Sequence, residues 1–166
     1  GETSEALRAC DTFRQRGMGD VFYIGCYEGR SLEAYSDFRL ILPEAQEEST
    51  AQTRALSTMY LATTGLALIA AGRAPELEAL RKLPPAGQRI LDECGDLALS
   101  IGGDLDLDRF YFLGSRALYG LASELSLKMK EMTLSHSEPF HTLEFRHGPR
   151  LMATEGACVV ALLSDG

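Results

Sequence analysis

The sequence RFYFLGSRALYGLASELSLKMKEM, residues 109–132, joins a short apolar run to an amphipathic pattern. The run Phe110–Leu113 is typical of a parallel strand that is buried on both faces. Gly114 suits a tight turn, and the apolar spacing between Leu118 and Met132 predicts a helix. This segment therefore predicts one strand–turn–helix unit of a layered α/β fold.

The same alternation extends through the rest of the chain. It predicts strands at residues 21–25, 38–42 and 157–163, helices at 4–16, 51–71, 76–83, 87–100 and 140–152, a helical turn at 32–36 and a loop at 135–138. Strands that alternate with helices predict a parallel sheet covered on both faces. The apolar run 59–71 is too short to span a membrane, and we interpret it as a buried helix.

Charge and cysteine content restrict the class of partner. The chain has 24 acidic and 16 basic residues, a formal net charge of -8. This charge repels nucleic acid and anionic lipid, so we expect neither a nucleic acid nor a membrane partner. A bound phosphate should be small and held by amides, hydroxyls and one or two local cations. The four widely spaced cysteines suit small buried residues in a reducing cytoplasm.

A stripe of charged side chains is predicted on the helix that follows Arg116. Glu124, Lys128 and Glu131 stand at i, i+4 and i+7, so they share one surface of the helix. A carboxylate beside packed apolar residues and a lysine could serve as an ionised yet reactive base. The same spacing is also common on purely solvated helix surfaces.

Three histidines follow within a short segment. The spacing of His136, His141 and His147 matches no strong metal-binding motif, so we expect no metal site. Hydrogen-bonded structural roles are predicted for His136 and His141. Gly148 and Pro149 require a sharp turn that presents His147 at a fixed place.

Two polar segments precede predicted helices. Gly1–Ser4 and Ser49–Thr53 each combine hydroxyl groups with the free amides of a helix start. Such a start is able to hold a phosphate group, and it is equally able to be a plain helix cap.

Together these segments resemble the sugar isomerase (SIS) domain family in its tandem form. That form occurs in the isomerase half of glucosamine-6-phosphate synthase and in related ketose/aldose isomerases and amino-sugar phosphate deaminases. Gly1–Thr3 looks like the end of the family's phosphate loop, and Glu48–Arg54 is similar to a helix-start segment of its first domain. Leu127–Pro149, LKMKEMTLSHSEPFHTLEFRHGP, is similar to the most specific signature of its second domain.

The resemblance implies a three-layer αβα sandwich with a parallel sheet, similar to flavodoxin, present here as parts of two tandem domains. Residues 1–100 would be part of the first domain, without its N-terminal strand, together with connecting helices. Residues 101–166 would be part of the second domain, without its C-terminal end. The chain begins without Met and stops directly after a strand-like run, so we expect a piece of a longer protein.

The resemblance also implies roles for the charged stripe. Glu131 matches the base that moves a proton between carbon 1 and carbon 2 of a hexose or hexosamine 6-phosphate. His147 matches the residue that opens the sugar ring, which in the family comes from the neighbouring subunit of a homodimer. Lys128 and Glu124 match residues that position the sugar.

Further residues match substrate contacts, and the family needs no metal or organic cofactor. The expected sugar and phosphate contacts in the first domain are Thr3, Ser49, Thr50 and Gln52, although the family often has Ser at the last position. The implied activity is that of an aldose–ketose isomerase or a deaminase. A sugar-phosphate sensor without turnover and an inactive scaffold are the alternatives. A sensor has no use for a base and a ring opener, so Glu131 and His147 favour the enzyme.

Overall fold

The alternation of strands and helices is confirmed in a computed structural model, which describes residues 2–164. The helices are α1 (Ser4–Gln15), α2 (Arg54–Ala70), α3 (Leu77–Leu80), α4 (Leu83–Gly102), α5 (Ala117–Thr133) and α6 (Thr142–Phe145). The strands are β1 (Phe22–Gly25), β2 (Phe38–Ile41), β3 (Arg109–Gly114), β4 (His136–His141) and β5 (Ala157–Ala161). Short 3-10 helices lie at Ser31–Tyr35, Pro43–Ala45, Ala74–Glu76 and Pro149–Met152.

The chain divides into two units, Gly1–Pro84 and Pro85–Gly166. The boundary expected near residue 100 falls inside α4, and nearly all of this helix belongs to the second unit. Pro84 and Pro85 lie in the first turn of α4, where a missing backbone N–H costs no helical hydrogen bond.

The first unit is built on two parallel strands. β1 pairs with β2 in the register Phe22↔Phe38 to Gly25↔Ile41. A core of Cys26, Ala45 and Ala55 forms beyond the carboxyl end of β1. The prediction of strands buried on both faces is wrong for β2, which has no buried residue. A two-stranded sheet provides too little surface to cover both faces of its strands.

Helix α2 differs from its prediction in start and burial. It begins at Arg54 rather than near residue 51, so Gln52 precedes it. The expectation of a buried helix is wrong, since Ala55 is its one buried residue and Tyr60 is 74% exposed. The helix packs against β1 and short helical segments, which cover one side of it.

The second unit is a three-stranded parallel sheet in the order β4-β3-β5. The central strand β3 is buried on both faces, as its apolar run predicted. Phe110 and Phe112 pack beneath α5 on one face, whereas Tyr111 and Leu113 pack with Phe145 of α6 on the other. Successive side chains of a strand point to opposite faces, so one run supplies both cores.

The segment 135–152 was predicted incorrectly as a loop followed by a long helix. Residues 136–141 form β4, which pairs with β3 from Arg109↔His136 to Gly114↔His141. Pro139 is tolerated because β4 is an outer strand of the described sheet. Gly148, at φ 121°, interrupts the predicted helix and leaves α6 and a 3-10 helix. No helix among residues 2–164 is long and apolar enough to cross a membrane.

Candidate functional site

A lysine shared by two carboxylates is the centre of the site on α5. Lys128 Nζ lies 2.6 Å from Glu131 Oε2 and 3.4 Å from Glu124 Oε1. The three residues therefore share one stripe, as their spacing predicted. The Lys128 side chain is only 18% exposed, whereas the side chains of Glu78 on α3 and its partner Arg81, directly after α3, are 78% and 79% exposed. The stripe on α5 is thus more shielded than an ordinary surface pair, which argues against a purely solvated helix surface.

The charges around Lys128 fix its protonation state. The hydrogen bond to Glu131, followed by the charge of Glu124, raises the pKa of the Lys128 ammonium above its usual value. Lys128 therefore remains a cation at neutral pH. An ammonium has three N–H donors, and one of them donates to Glu131, while Glu124 lies within ion-pair distance. A remaining N–H is able to donate to an oxygen of a ligand.

Close packing at the start of α5 determines where the stripe lies. A Cβ atom on Gly114 would fall 2.2 Å from the carbonyl oxygen of Leu118, so the helix start can approach the strand end only at a glycine. Arg116 adopts φ 54° in the turn between β3 and α5. The helix ends at Leu134, which has left-handed backbone conformation at φ 60°.

A buried hydrogen bond joins α5 to β4. Ser137 Oγ donates to Ser126 Oγ at 3.1 Å, and the two serines are 0% and 1% exposed. Among residues 2–164 they are the buried polar residues. Ser126 lies between Glu124 and Lys128 in the sequence, so this bond fixes the rotation of the segment that carries the stripe.

The three histidines occupy different positions around β4 and α6. His136 begins β4, and its Nε2 atom lies 3.5 Å from Glu138 Oε1. His141 ends the strand and stacks on Tyr119 of α5, with 3.9 Å between ring centroids. His147 is exposed after α6, and its backbone N–H donates to the Glu144 carbonyl.

No group of three or more His, Cys, Asp or Glu side chains in the described part of the chain is arranged to hold a metal ion. The four cysteines are free thiols. Burial raises the pKa of the Cys26 and Cys158 thiols, so neither is an activated nucleophile.

In the first unit, a carboxylate occupies the start of α2. Glu47 Oε1 accepts a hydrogen bond from the Ala55 amide at 2.8 Å, and Oε2 accepts one from the Arg54 amide at 3.3 Å. The Ala55 amide is the main cause that lowers the pKa of Glu47. These two amides are therefore not available to a phosphate group, contrary to the cradle considered for this helix start.

This cap should make the stability of the first unit depend on pH through Glu47. Because its folded pKa is lowered, the cap is fully present above the usual pKa of 4.5 and is lost as the pH falls through the lowered value. In urea denaturation, wild type should unfold at higher urea than Glu47→Gln near pH 7, and the two should converge as the pH falls through the lowered pKa of Glu47.

Glu48→Gln is the matched control, since Glu48 is exposed and forms no hydrogen bond among the described residues. It should follow the wild type at every pH. A constant difference between wild type and Glu47→Gln across the pH range would contradict the assignment of a charged cap.

Of the predicted sugar and phosphate contacts in the first unit, Gln52 lines a cavity and Thr3, Ser49 and Thr50 do not. Gln52 lines a cavity of about 360 Å³ at the carboxyl end of β1, together with Glu2, Cys26 and Arg30. Ser49 and Thr50 are exposed residues outside this lining, and Ser49 Oγ donates to the Ala51 carbonyl. Thr3 precedes α1 without capping it through its side chain. Gly1, the first residue of the segment that resembles a phosphate loop, lies outside the described residues.

A second and larger cavity of about 640 Å³ involves the amino end of β2. Of its charged side chains, Glu33 pairs with Arg39 and Asp37 pairs with Arg14, whereas Arg30 lines both cavities. Ligands of parallel α/β sheets bind at the carboxyl ends of strands. The smaller cavity, where Gln52 lies, is therefore the candidate binding site of the first unit.

A comparison with models of known protein families identifies a match for the second unit. Residues 106–166, which contain β3, α5 and β4, match the model of the SIS domain. Helix α5 with its charged stripe lies within the matched region. Residues 106–166 belong to the SIS domain family. The resemblance inferred for Leu127–Pro149 is thus confirmed.

Curated relatives of this chain include glutamine–fructose-6-phosphate aminotransferases (isomerizing). The protein from Halobacterium salinarum is 31% identical over 99% of the chain, and the one from Symbiobacterium thermophilum is 33% identical over 98%. The chain spans 29% and 28% of the lengths of these two relatives.

Solved structures of similar fold cover the chain over nearly its whole length. Glucosamine-6-phosphate deaminase from Thermotoga maritima matches 100% of the chain and 50% of its own length, with a TM-score of 0.84 and 31% identity. Tagatose-6-phosphate ketose/aldose isomerase from Escherichia coli matches 99% of the chain and 46% of its own length, with a TM-score of 0.83 and 25% identity.

The contacts of several residues were not predicted from the sequence. Glu47 reaches the amides of Arg54 and Ala55 only because the loop before α2 folds back. The spacing of residues in this loop does not predict these hydrogen bonds. Ser126 and Ser137 meet only when β4 pairs with β3. Arg30 follows β1 in a polar turn that gave no signal of its position beside Gln52.

Proposed function

We propose that the chain is part of a phosphosugar isomerase or amino-sugar phosphate deaminase. The observation that carries this proposal is the shielded Lys128 ammonium held between Glu124 and Glu131. A carboxylate and an ammonium side by side are the two groups that proton transfer next to a carbonyl requires. The names of the deaminase and the isomerase with the same fold agree with this chemistry.

In the proposed reaction, Glu131 removes the proton from carbon 2 of an open-chain aldose 6-phosphate. The electron pair of the broken C–H bond forms the carbon 1–carbon 2 double bond, and the carbonyl oxygen becomes an enediolate oxygen. Lys128 stabilises that oxygen with a remaining N–H donor. The proton of the carbon 2 hydroxyl passes to the carbon 1 oxygen. Glu131 then returns its proton to carbon 1, and the carbonyl at carbon 2 that results completes the ketose.

The same steps explain deamination. When carbon 2 carries an amino group, an amino proton passes to the carbon 1 oxygen, and return of the proton from Glu131 to carbon 1 leaves an imine at carbon 2. Water hydrolyses this imine to the ketose and releases ammonia. Glu124 holds Lys128 in place and contacts the sugar. Thr3, Ser49, Thr50 and Gln52 are proposed as the sugar-phosphate contacts of the first unit.

The assembly is part of the proposal. Within the described residues, the His147 side chain forms no hydrogen bond or ion pair with the charged stripe, and its exposure suits a role in a neighbouring subunit. We assign His147 to ring opening in the active site of a homodimer partner. Residues 1–100 and 101–166 are assigned to two tandem SIS domains, and we place the protein in the cytoplasm.

Solvent exchange tests this function directly. The full-length protein in deuterium oxide should incorporate deuterium at carbon 1 or carbon 2 of at least one sugar among fructose 6-phosphate, glucosamine 6-phosphate and tagatose 6-phosphate, as followed by NMR. Ammonia release would distinguish the deaminase from the isomerase. Binding of these sugars without any exchange would contradict the enzyme and support the sensor.

A further inference from the structure

The cavity beside Gln52 is lined by a cationic side chain, Arg30, to which the proposed reaction gives no role. Among the described residues that line it, Arg30 is the one with a positive charge and Glu2 the one with a negative charge. The cavity lies beyond the carboxyl end of β1, the usual ligand edge of a parallel sheet. A ligand in this cavity therefore lies within reach of one guanidinium group.

The position of Arg30 is fixed from two sides. Its guanidinium carbon lies 4.9 Å from the ring centroid of Tyr27, which lines the same cavity, in a cation–π contact. The next residue is anchored by Glu2, which accepts hydrogen bonds from the Ser31 amide at 3.1 Å and the Ser31 hydroxyl at 2.8 Å. The turn that carries Arg30 is thus tied to the segment that precedes α1.

The charge balance of the cavity depends on Arg30. The Ser31 amide and hydroxyl, with the charge of Arg30, lower the pKa of Glu2, so this carboxyl is ionised at neutral pH. A phosphate monoester carries between about one and a half and two negative charges at this pH. Without Arg30, such a ligand would meet only the negative Glu2 in a chain of net charge -8.

We propose that Arg30 is the phosphate-recognition residue of this cavity and selects phosphorylated over unphosphorylated sugars. The guanidinium donates to phosphate oxygens in a geometry suited to two parallel hydrogen bonds. Gln52 supplies neutral amide donors from the same lining. This assignment rests on the proposed function for the identity of the sugar, but the recognition of phosphate is independent of turnover.

Calorimetry on the full-length protein tests the assignment with inorganic phosphate, fructose 6-phosphate and fructose as probes. Arg30→Gln should weaken binding of both phosphate-containing probes by about ten- to a hundredfold, and Arg30→Lys should recover part of it. The affinity for fructose should not change. Arg8→Gln is the control, since Arg8 is exposed on α1 and has no ion pair among the described residues.

The outcomes separate this assignment from the proposed function. Weaker phosphate binding by Arg30→Gln in a protein that turns over no sugar would support the assignment and contradict the function. If the protein turns over the sugar and Arg30→Gln binds phosphate as tightly as wild type, the function would be supported and the assignment of Arg30 contradicted. No binding of phosphate or fructose 6-phosphate to wild type would overturn the assignment. Circular dichroism of each variant confirms that it is folded.

Discussion

Glu131→Gln in the full-length protein should lower turnover of fructose 6-phosphate or glucosamine 6-phosphate by at least about a hundredfold, while binding of the sugar persists. Glutamine keeps the size of the side chain but cannot accept a proton. Its amide oxygen still accepts a hydrogen bond from Lys128, so the stripe keeps its geometry. The loss should therefore appear in kcat far more than in KM.

The fold should tolerate this change. Lys128 and Glu131 are partly exposed, and ion pairs near the surface contribute little to stability. Steady-state kinetics measure the effect on turnover, and calorimetry measures sugar binding to the same protein.

Glu78→Gln provides a matched control. Glu78 also pairs with a cation three residues away, Arg81, at 3.0 Å on a helix outside the site. Turnover should be unchanged in this variant. A Glu131→Gln protein with wild-type kcat would remove Glu131 from the role of the base and leave the proposed mechanism without its proton acceptor.

The largest structural effect is expected at Gly114, where Gly114→Ala should destabilise the second unit by at least about 2 kcal/mol. The new Cβ would lie 2.2 Å from the Leu118 carbonyl oxygen and 2.8 Å from the Tyr119 amide nitrogen. Both neighbours are backbone atoms of α5, so they cannot move aside as a flexible side chain can. The helix must shift, and the charged stripe must shift with it.

Gly120→Ala, on α5 itself, is expected to change stability in the opposite direction. A Cβ atom at Gly120 would meet no atom within 4 Å. Alanine there should stabilise the protein by up to about 1 kcal/mol, because it restricts the unfolded chain and favours the helix. Urea denaturation compares the two variants. Equal stability of Gly114→Ala and wild type would show that the close approach of strand and helix is not required.

The prediction of secondary structure from the sequence succeeded where the pattern was local and continuous. β3 and α5 were predicted nearly to the residue, because one apolar run and one helical period lie side by side in residues 109–132. The start of α2 was predicted about one turn too early. The hydroxyl-rich residues before Arg54 suit a helix start, but Glu47 caps the helix at its first amides instead.

β4 shows why local pattern was insufficient. The sequence HSEPFH at residues 136–141 has no continuous apolar run and contains a proline. It becomes a strand because it pairs with β3 along its whole length. The local sequence of β4 does not indicate its parallel partner, which lies more than twenty residues earlier in the chain. The buried Ser137 of β4 forms its hydrogen bond with Ser126 of α5.

The sequence alone determined the α/β class, the central strand β3, and the stripe of Glu124, Lys128 and Glu131, because helical spacing and strand burial repeat over a few residues. Tertiary structure alone decided that Glu47 caps α2 and that Arg30 shares a cavity with Gln52. These contacts join segments through folded turns and parallel pairing, and their geometry depends on the whole path of the chain rather than on neighbouring residues.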